Sequence, residues 1–185
     1  IQGFFSIPGD VLTAFTILLK YLKERIPTMY SPVVVTADLG FAKKGRNFAA
    51  ALQTPIAFIE KRRTGNDARS EAMTLIGDVS YRDVILVDDE VDTGTSMIKA
   101  VDIVKKHGAR NVYVVFVHPV LSANAARDLA ASAVTQVITT NTVPIPEEKL
   151  AYFGDRLTVL SVAPLLGEVI RRANEGRSVG ELFDE

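Results

Sequence analysis

Between Asp88 and Ser96 the chain places three aspartates, a glutamate, two threonines, a serine and a glycine within nine residues. Thr93, Gly94, Thr95 and Ser96 stand where a helix begins, so free backbone N–H groups, hydroxyls and the positive end of a helix dipole converge on one spot. That spot suits a phosphate. Asp88 and Asp89, just upstream, are acceptors that can take hydrogen bonds from vicinal hydroxyls or hold Mg²⁺ through water. An acidic edge beside a phosphate cradle describes a sugar phosphate as ligand. A turn and helix cap alone would also use Asp, Thr and Ser, but a cap needs one such residue and this loop supplies six.

The flanking residues must position that loop. Val84 to Val87 is a purely aliphatic run with three β-branched members, the signature of a strand buried on both faces of a parallel sheet. After the loop, Met97, Ala100, Val101 and Val104 recur at helical spacing, with Lys99, Lys105 and Lys106 on other faces, and His107-Gly108 ends the helix. A second unit of this kind comes earlier: Val33 to Thr36 is a buried strand, Ala37-Asp38-Leu39-Gly40 a tight turn, and about Ala42 to Leu52 a helix. It again puts an acid and a glycine at a strand's carboxyl end, where open parallel sheets bind ligands. Ile56 to Ile59 is a third strand. Glu60-Lys61-Arg62-Arg63 follows it and runs into a polar loop from Thr64 to Asp67, so three consecutive cations can cover an anionic substrate and stabilise charge on transferred phosphoryl oxygens.

The remaining pattern is regular. Asp10 is placed to cap a helix from about Val11 to Arg25, which Pro27 stops. Met73 to Val79 reads as a short strand or a turn, punctuated by Gly77-Asp78. Val112 to Val117, Gln136 to Thr139 and Leu157 to Leu160 read as strands, Val143 to Pro146 as an extended connection. Helices capped by Ser122 and Ser161 run to about Ala131 and Ala173, and Ser178 to Phe183 forms a short packed tail. His118, alone at a strand end beside proline, reads as structural, and His107 as favourable to its helix dipole. Strands alternating with helices at these intervals predict right-handed crossover units, hence a doubly wound α/β fold with a mainly parallel sheet flanked by helices.

With 185 residues and 48% hydrophobic content, the chain suits one domain, spanning 1–185, with a full core. A net charge of -1 gives no electrostatic case for nucleic acid or an anionic membrane. No apolar run approaches the roughly 18 residues of a membrane span. The absence of cysteine excludes disulfides and thiolate catalysis and fits a reducing compartment. There is no Walker A loop or G-x-G-x-x-G fingerprint. Opening on Ile1-Gln-Gly-Phe-Phe5, without the basic region of a signal peptide, the chain reads as cut at an interior position.

Val87-Asp88-Asp89-x-x-Asp92-Thr93-Gly94-Thr95-Ser96 resembles the phosphoribosyl-diphosphate signature of the type I phosphoribosyltransferase fold. Ile1 to Phe5, Ile59 to Arg63, His118-Pro-Val-Leu-Ser122 and Leu160-Ser-Val-Ala-Pro-Leu165 extend the likeness along the whole chain, which resembles the C-terminal half of the ribose-phosphate pyrophosphokinase family. The resemblance implies an N-terminal half of similar fold upstream, and a cytoplasmic, oligomeric enzyme, hexameric in the family, with an ATP site completed across subunits. It implies transfer of the diphosphoryl group of ATP to ribose 5-phosphate, giving phosphoribosyl diphosphate, with Mg²⁺ as cofactor. By the same resemblance, Asp88, Asp89, Asp92, Thr93, Gly94, Thr95 and Ser96 bind the ribose phosphate. Asp38, Leu39 and Gly40 form the diphosphate loop with Asp38 near the metal, and Lys61 and Arg63 are catalytic. The chain departs from the family pattern at Ser6, where an acid is usual, at Phe41, where a second glycine is usual, and at Lys44, where arginine is usual. Two rival readings share the Asp88–Ser96 loop: a salvage phosphoribosyltransferase, and a non-catalytic regulatory subunit of a synthetase.

Overall fold

Consecutive β-branched residues leave a strand no polar face, and Val33–Thr36 (β1) is buried at every position. Val84–Glu90 (β4) and Val112–His118 (β5) bury their aliphatic stretches and emerge from the core where the sequence turns polar. With Ile56–Arg63 (β2), Glu71–Ile76 (β3), Gln136–Thr140 (β6) and Leu157–Leu160 (β7), they form a seven-stranded sheet in the order β3-β2-β1-β4-β5-β6-β7. This computed structural model describes residues 2–7, 9, 11–63 and 71–182.

Helices cover both faces. Phe15–Arg25 (α1) and Ala42–Ala51 (α2) lie on one, where Leu18, Leu22, Phe48 and Ala49 pack on Val34, Ile85, Val87 and Val115. Thr95–Lys106 (α3), Ala125–Ala131 (α4) and Glu147–Phe153 (α5) lie on the other, where Met97, Val101, Val104, Leu129 and Phe153 pack with Val33, Leu86, Val114 and Phe116. Ala163–Glu175 (α6) follows the edge strand β7 and buries none of its residues. The doubly wound, mainly parallel sheet expected from the sequence is therefore present. From β1 the order runs to β2 on one side and to β4 on the other, so β1 and β4 flank the topological switch point. The Thr36–Val87 pairing sets their carboxyl ends side by side.

Four expectations need correction. The cations of 61–63 were expected in a loop after a strand ending at Ile59, but β2 continues through Arg63 and pairs antiparallel with β3. The seven residues from 64 to 70 are too few for a crossover, which takes a dozen or more, so the chain turns back as a hairpin. Phe58 is the last β2 residue paired with β1, and 59–63 pair with β3 alone. The hairpin thus projects past the carboxyl end of β1 by roughly 15 Å, at the usual rise per residue. Second, α1 begins at Phe15 rather than near Val11, because Thr13 Oγ1 accepts the Phe15 N–H (3.2 Å) and residues 11–14 run outside the helix. Asp10, expected as its cap, lies outside the described residues, as do Thr64 to Asp67 and Phe183. Third, Ser122 does not cap α4 through its side chain; its carbonyl accepts the Ala125 N–H. Ser161 does hold the start of α6, its Oγ accepting the Ala163 N–H at 3.2 Å. Fourth, residues 147–153, for which no element was expected, form α5 after the extended connection ends at Pro146.

Gly45 sets the approach of α2 to β1: a β-carbon there would overlap the γ-methyl of the buried Thr36. Gly45→Ala is therefore expected to destabilise the fold by about 1–3 kcal/mol through overpacking, although alanine favours a helix. Thr36→Val is expected to be neutral or stabilising, since Thr36 Oγ1 has no hydrogen-bond partner among the described residues. Denaturant midpoints of the two variants check the pair.

Candidate functional site

The loop leaving β4 turns its polar residues outward and its small or apolar ones inward. Asp92, Thr93, Thr95 and Ser96 are exposed, while Val91, Gly94 and Met97 are buried at intervals of three. Gly94 is the residue preceding α3 and holds φ +75°, a left-handed conformation that favours glycine. Its carbonyl accepts the Ile98 N–H (2.9 Å), so the helix starts at this turn. Gly94, at the cap position, brings no side chain, and the first turn of α3 lines a polar cleft of about 280 Å³. Thr93 Oγ1 and Thr95 Oγ1 stand 3.3 Å apart on the same rim.

Across the cleft lie the acids. Asp88 and Asp89 occupy the end of β4, where the Asp89 N–H donates to Asp88 Oδ1 (2.9 Å). Asp38 joins them from the β1 side of the switch point and lines the same cleft. Its Oδ1 accepts the Gly40 N–H (2.8 Å), which folds Leu39–Phe41 into a 3₁₀ turn at the head of α2. Leu39 and Gly40 are exposed in that turn but do not line the cleft. Phe41 points away from it: the ring is buried, 5.6 Å from the Phe15 ring and beneath Lys44 Nζ at 5.5 Å. The bulk that replaces glycine is thus taken up by the core and leaves the cleft side of the turn clear.

Lys44 reaches Asp89 at 3.7 Å and joins the β1 loop to the β4 loop. Both side chains are about half exposed, so this ion pair contributes little stability. Its significance is positional, because it holds a cation at the switch point. Composition gave its charge; its partner, 45 residues away, gave no signal in the sequence. Glu90, also unassigned from the sequence, lines the cleft as well. Asp89, Glu90 and Lys44 also border a larger, mostly apolar groove of about 720 Å³ between α1, β5 and α6. His118 lies on this groove with its Nδ1 2.9 Å from Thr142 Oγ1, tying the end of β5 to the loop after β6. The side chains of Lys61 and Arg63 lie outside the described residues, while the backbone register pairs Lys61 with Met73 and Arg63 with Glu71 in the projecting hairpin.

A helix N-terminus, hydroxyls and carboxylates converge at the switch point of a doubly wound sheet, groups whose chemistry is that of phosphate and hydroxyl recognition. The phosphoribosyl synthetase-associated domain matches residues 66–184. The chain belongs to this family. Phosphoribosyl synthetase relatives match it from end to end: the ribose-phosphate pyrophosphokinase of Helicobacter hepaticus is 40% identical over 183 residues, 99% of this chain and 57% of that protein. The enzyme of the same name from Clostridium acetobutylicum is 42% identical over 185 residues, 100% of this chain and 57% of its own. The crystal structure of phosphoribosylpyrophosphate synthetase from Mycobacterium smegmatis superposes with a TM-score of 0.83 at 38% identity, covering 95% of this chain and 55% of that one. The chain therefore spans little more than half the length of the synthetases it matches. Among its described residues no helix is long and apolar enough to cross a membrane.

Proposed function

We propose that this chain is the ribose 5-phosphate and diphosphate half of a phosphoribosyl diphosphate synthetase, placed C-terminally in the whole enzyme. One observation carries the reading: the N-terminus of α3, with its hydroxyl rim, lines a cleft that also holds Asp88, Asp89 and Asp38. The α3 N–H groups with Thr93, Thr95 and Ser96 hold the 5-phosphate, and Asp92 belongs to the same cradle. Asp88 and Asp89 orient the ribose hydroxyls. The 1-hydroxyl oxygen then forms a bond to the β-phosphorus of ATP as the bond from that phosphorus to the α-phosphate oxygen breaks, and AMP leaves. Gly40 leaves room beside the diphosphate, and Lys61 and Arg63, carried by the hairpin that projects on this edge, neutralise charge on the transferred group.

Mg²⁺ belongs to this reading. It is an ion that keeps several waters and is otherwise held by one or two carboxylates and substrate phosphates. Asp38 is the carboxylate assigned to it, with Asp88 and Asp89 across the cleft. When bound, the ion neutralises diphosphate charge. Assembly into a homo-oligomer, a hexamer by family resemblance, and a cytoplasmic setting complete the proposal. Exposed Phe4, Phe5, Leu166 and Ile170 support the first as apolar surface available for contact, and sedimentation velocity tests it.

The binding claim is tested by titrating ribose 5-phosphate and, separately, ribose. Only the phosphorylated sugar should bind in the millimolar range or tighter. Thr93→Val should weaken it about 10-fold, as expected on losing one hydrogen bond to a charged group. Equal affinity for ribose and ribose 5-phosphate would contradict the placement of the phosphate.

A further inference from the structure

The phosphate cradle does not stand alone. Its backbone is stitched to the loop between β5 and α4 by three main-chain hydrogen bonds. Val91 N–H donates to the His118 carbonyl (3.1 Å), Leu121 N–H to the Val91 carbonyl (2.9 Å), and Ser122 N–H to the Asp92 carbonyl (3.0 Å). The cradle is also packed against this loop's end, since the nearest neighbour of a β-carbon built at Gly94 would be Ala125 Cβ, at 3.4 Å.

That supporting loop is itself strained. Leu121 and Ala123 hold φ +47° and +46°, a region costly for residues with a side chain. A backbone in this state persists only where its surroundings hold it. Leu121 is anchored at both ends: its side chain is buried (1% exposed), and its carbonyl accepts a 2.7 Å hydrogen bond from Lys149 Nζ. Lys149 is half-buried and comes from α5, a separate element 28 residues on. A charged donor on a carbonyl makes one of the stronger kinds of hydrogen bond.

We propose that Lys149 is a positioning residue for the phosphate cradle, acting through Leu121 and the strained loop that holds the backbone of Val91 and Asp92. It touches no substrate in this account. Its ammonium fixes the Leu121 peptide, and the Leu121 and Ser122 N–H groups in turn fix the carbonyls of the residues that open the cradle. The proposal rests on residues 92–96 being the phosphate site.

The test compares Lys149→Met, which keeps length and apolar stem but removes the donor, with Lys149→Arg, which restores one. Thr93→Val/Thr95→Val serves as the control on the cradle itself. In the full protein, Lys149→Met should weaken ribose 5-phosphate binding about 10-fold, with KM rising far more than kcat falls. Its Leu121 and Ser122 amides should exchange faster than in wild type, while Lys149→Arg recovers most of the affinity. Wild-type affinity in Lys149→Met, or unchanged exchange at Leu121 and Ser122, overturns the proposal while leaving the cradle intact. Equal weakening in the methionine and arginine variants, with a lowered unfolding midpoint in both, also overturns it, because the role is then merely structural. If the double threonine variant binds as wild type, the phosphate site itself is misplaced and the proposal falls with it.

Discussion

Replacing Lys61 by alanine is expected to lower turnover about 100- to 1,000-fold, the usual cost of removing one preorganised donor from a charged transition state. The unfolding midpoint should barely move. The reason lies in the hairpin. Positions 60–63 pair with β3 alone, beyond the last contact of β2 with β1 and past the buried Ile59, so Lys61 lies outside the central parallel strands. By the two-residue period of a strand, positions 61 and 63 fall on one side and 62 on the other, so Arg63→Ala should act in the same sense as Lys61→Ala and Arg62→Ala much less. Phosphoryl transfer relies on positioning and charge neutralisation, so the loss should appear in kcat with ribose 5-phosphate affinity kept. Steady-state kinetics on the three alanine variants checks this; wild-type turnover in Lys61→Ala would remove the hairpin from the site.

The second large effect is at Gly94. Gly94→Val places a β-branched side chain at φ +75°, a conformation costing about 1–2 kcal/mol for a residue with a β-carbon. The new side chain must also find room beside Ala125 and Ile98, whose atoms lie 3.4 and 3.6 Å from the position of the added carbon. The turn that starts α3 cannot keep its geometry, and with it the N–H groups that face the cleft are lost. Ribose 5-phosphate affinity should fall at least about 100-fold, well beyond the effect of removing a single hydroxyl, since several charge-assisted hydrogen bonds go together. Calorimetric titration, with circular dichroism to establish that the variant folds, measures both parts. Retained affinity would show that the phosphate is not held by the start of α3.

Much of the fold was legible because its central strands are aliphatic and buried on both faces. Val33–Thr36 was read with its observed limits, as was the edge strand Leu157–Leu160, and β4, β5 and β6 differ only by the polar residues at their carboxyl ends. What was missed lacks that pattern. The outer half of β2, from Glu60 to Arg63, runs past the end of β1 and pairs with β3 alone, so it carries charge where a core strand carries valine, and it read as loop. α5 spans seven residues, too few to display a helical period, and it follows a proline-rich stretch that invites an extended reading. The β4 loop was readable because its chemistry is local, nine residues in one turn. Its supports are not local. Lys44 on Asp89, Leu121 on Val91 and Lys149 on Leu121 join segments 28 to 45 residues apart, through a surface ion pair or backbone groups that have no compositional mark. Phe41 shows the same limit from the other side. By identity it obstructs a diphosphate loop, and only its burial against Phe15 shows that the loop surface stays open.

The most direct measurement is a phosphorus-31 spectrum after incubation with ATP, ribose 5-phosphate and Mg²⁺. It is made once for this chain and once for the chain joined upstream to the additional length its relatives possess. The account predicts AMP and phosphoribosyl diphosphate in equal amounts from the longer form, at a rate that Lys61→Ala reduces at least about 100-fold. If neither form releases AMP while ribose 5-phosphate is bound and saturating, the synthetase assignment is contradicted.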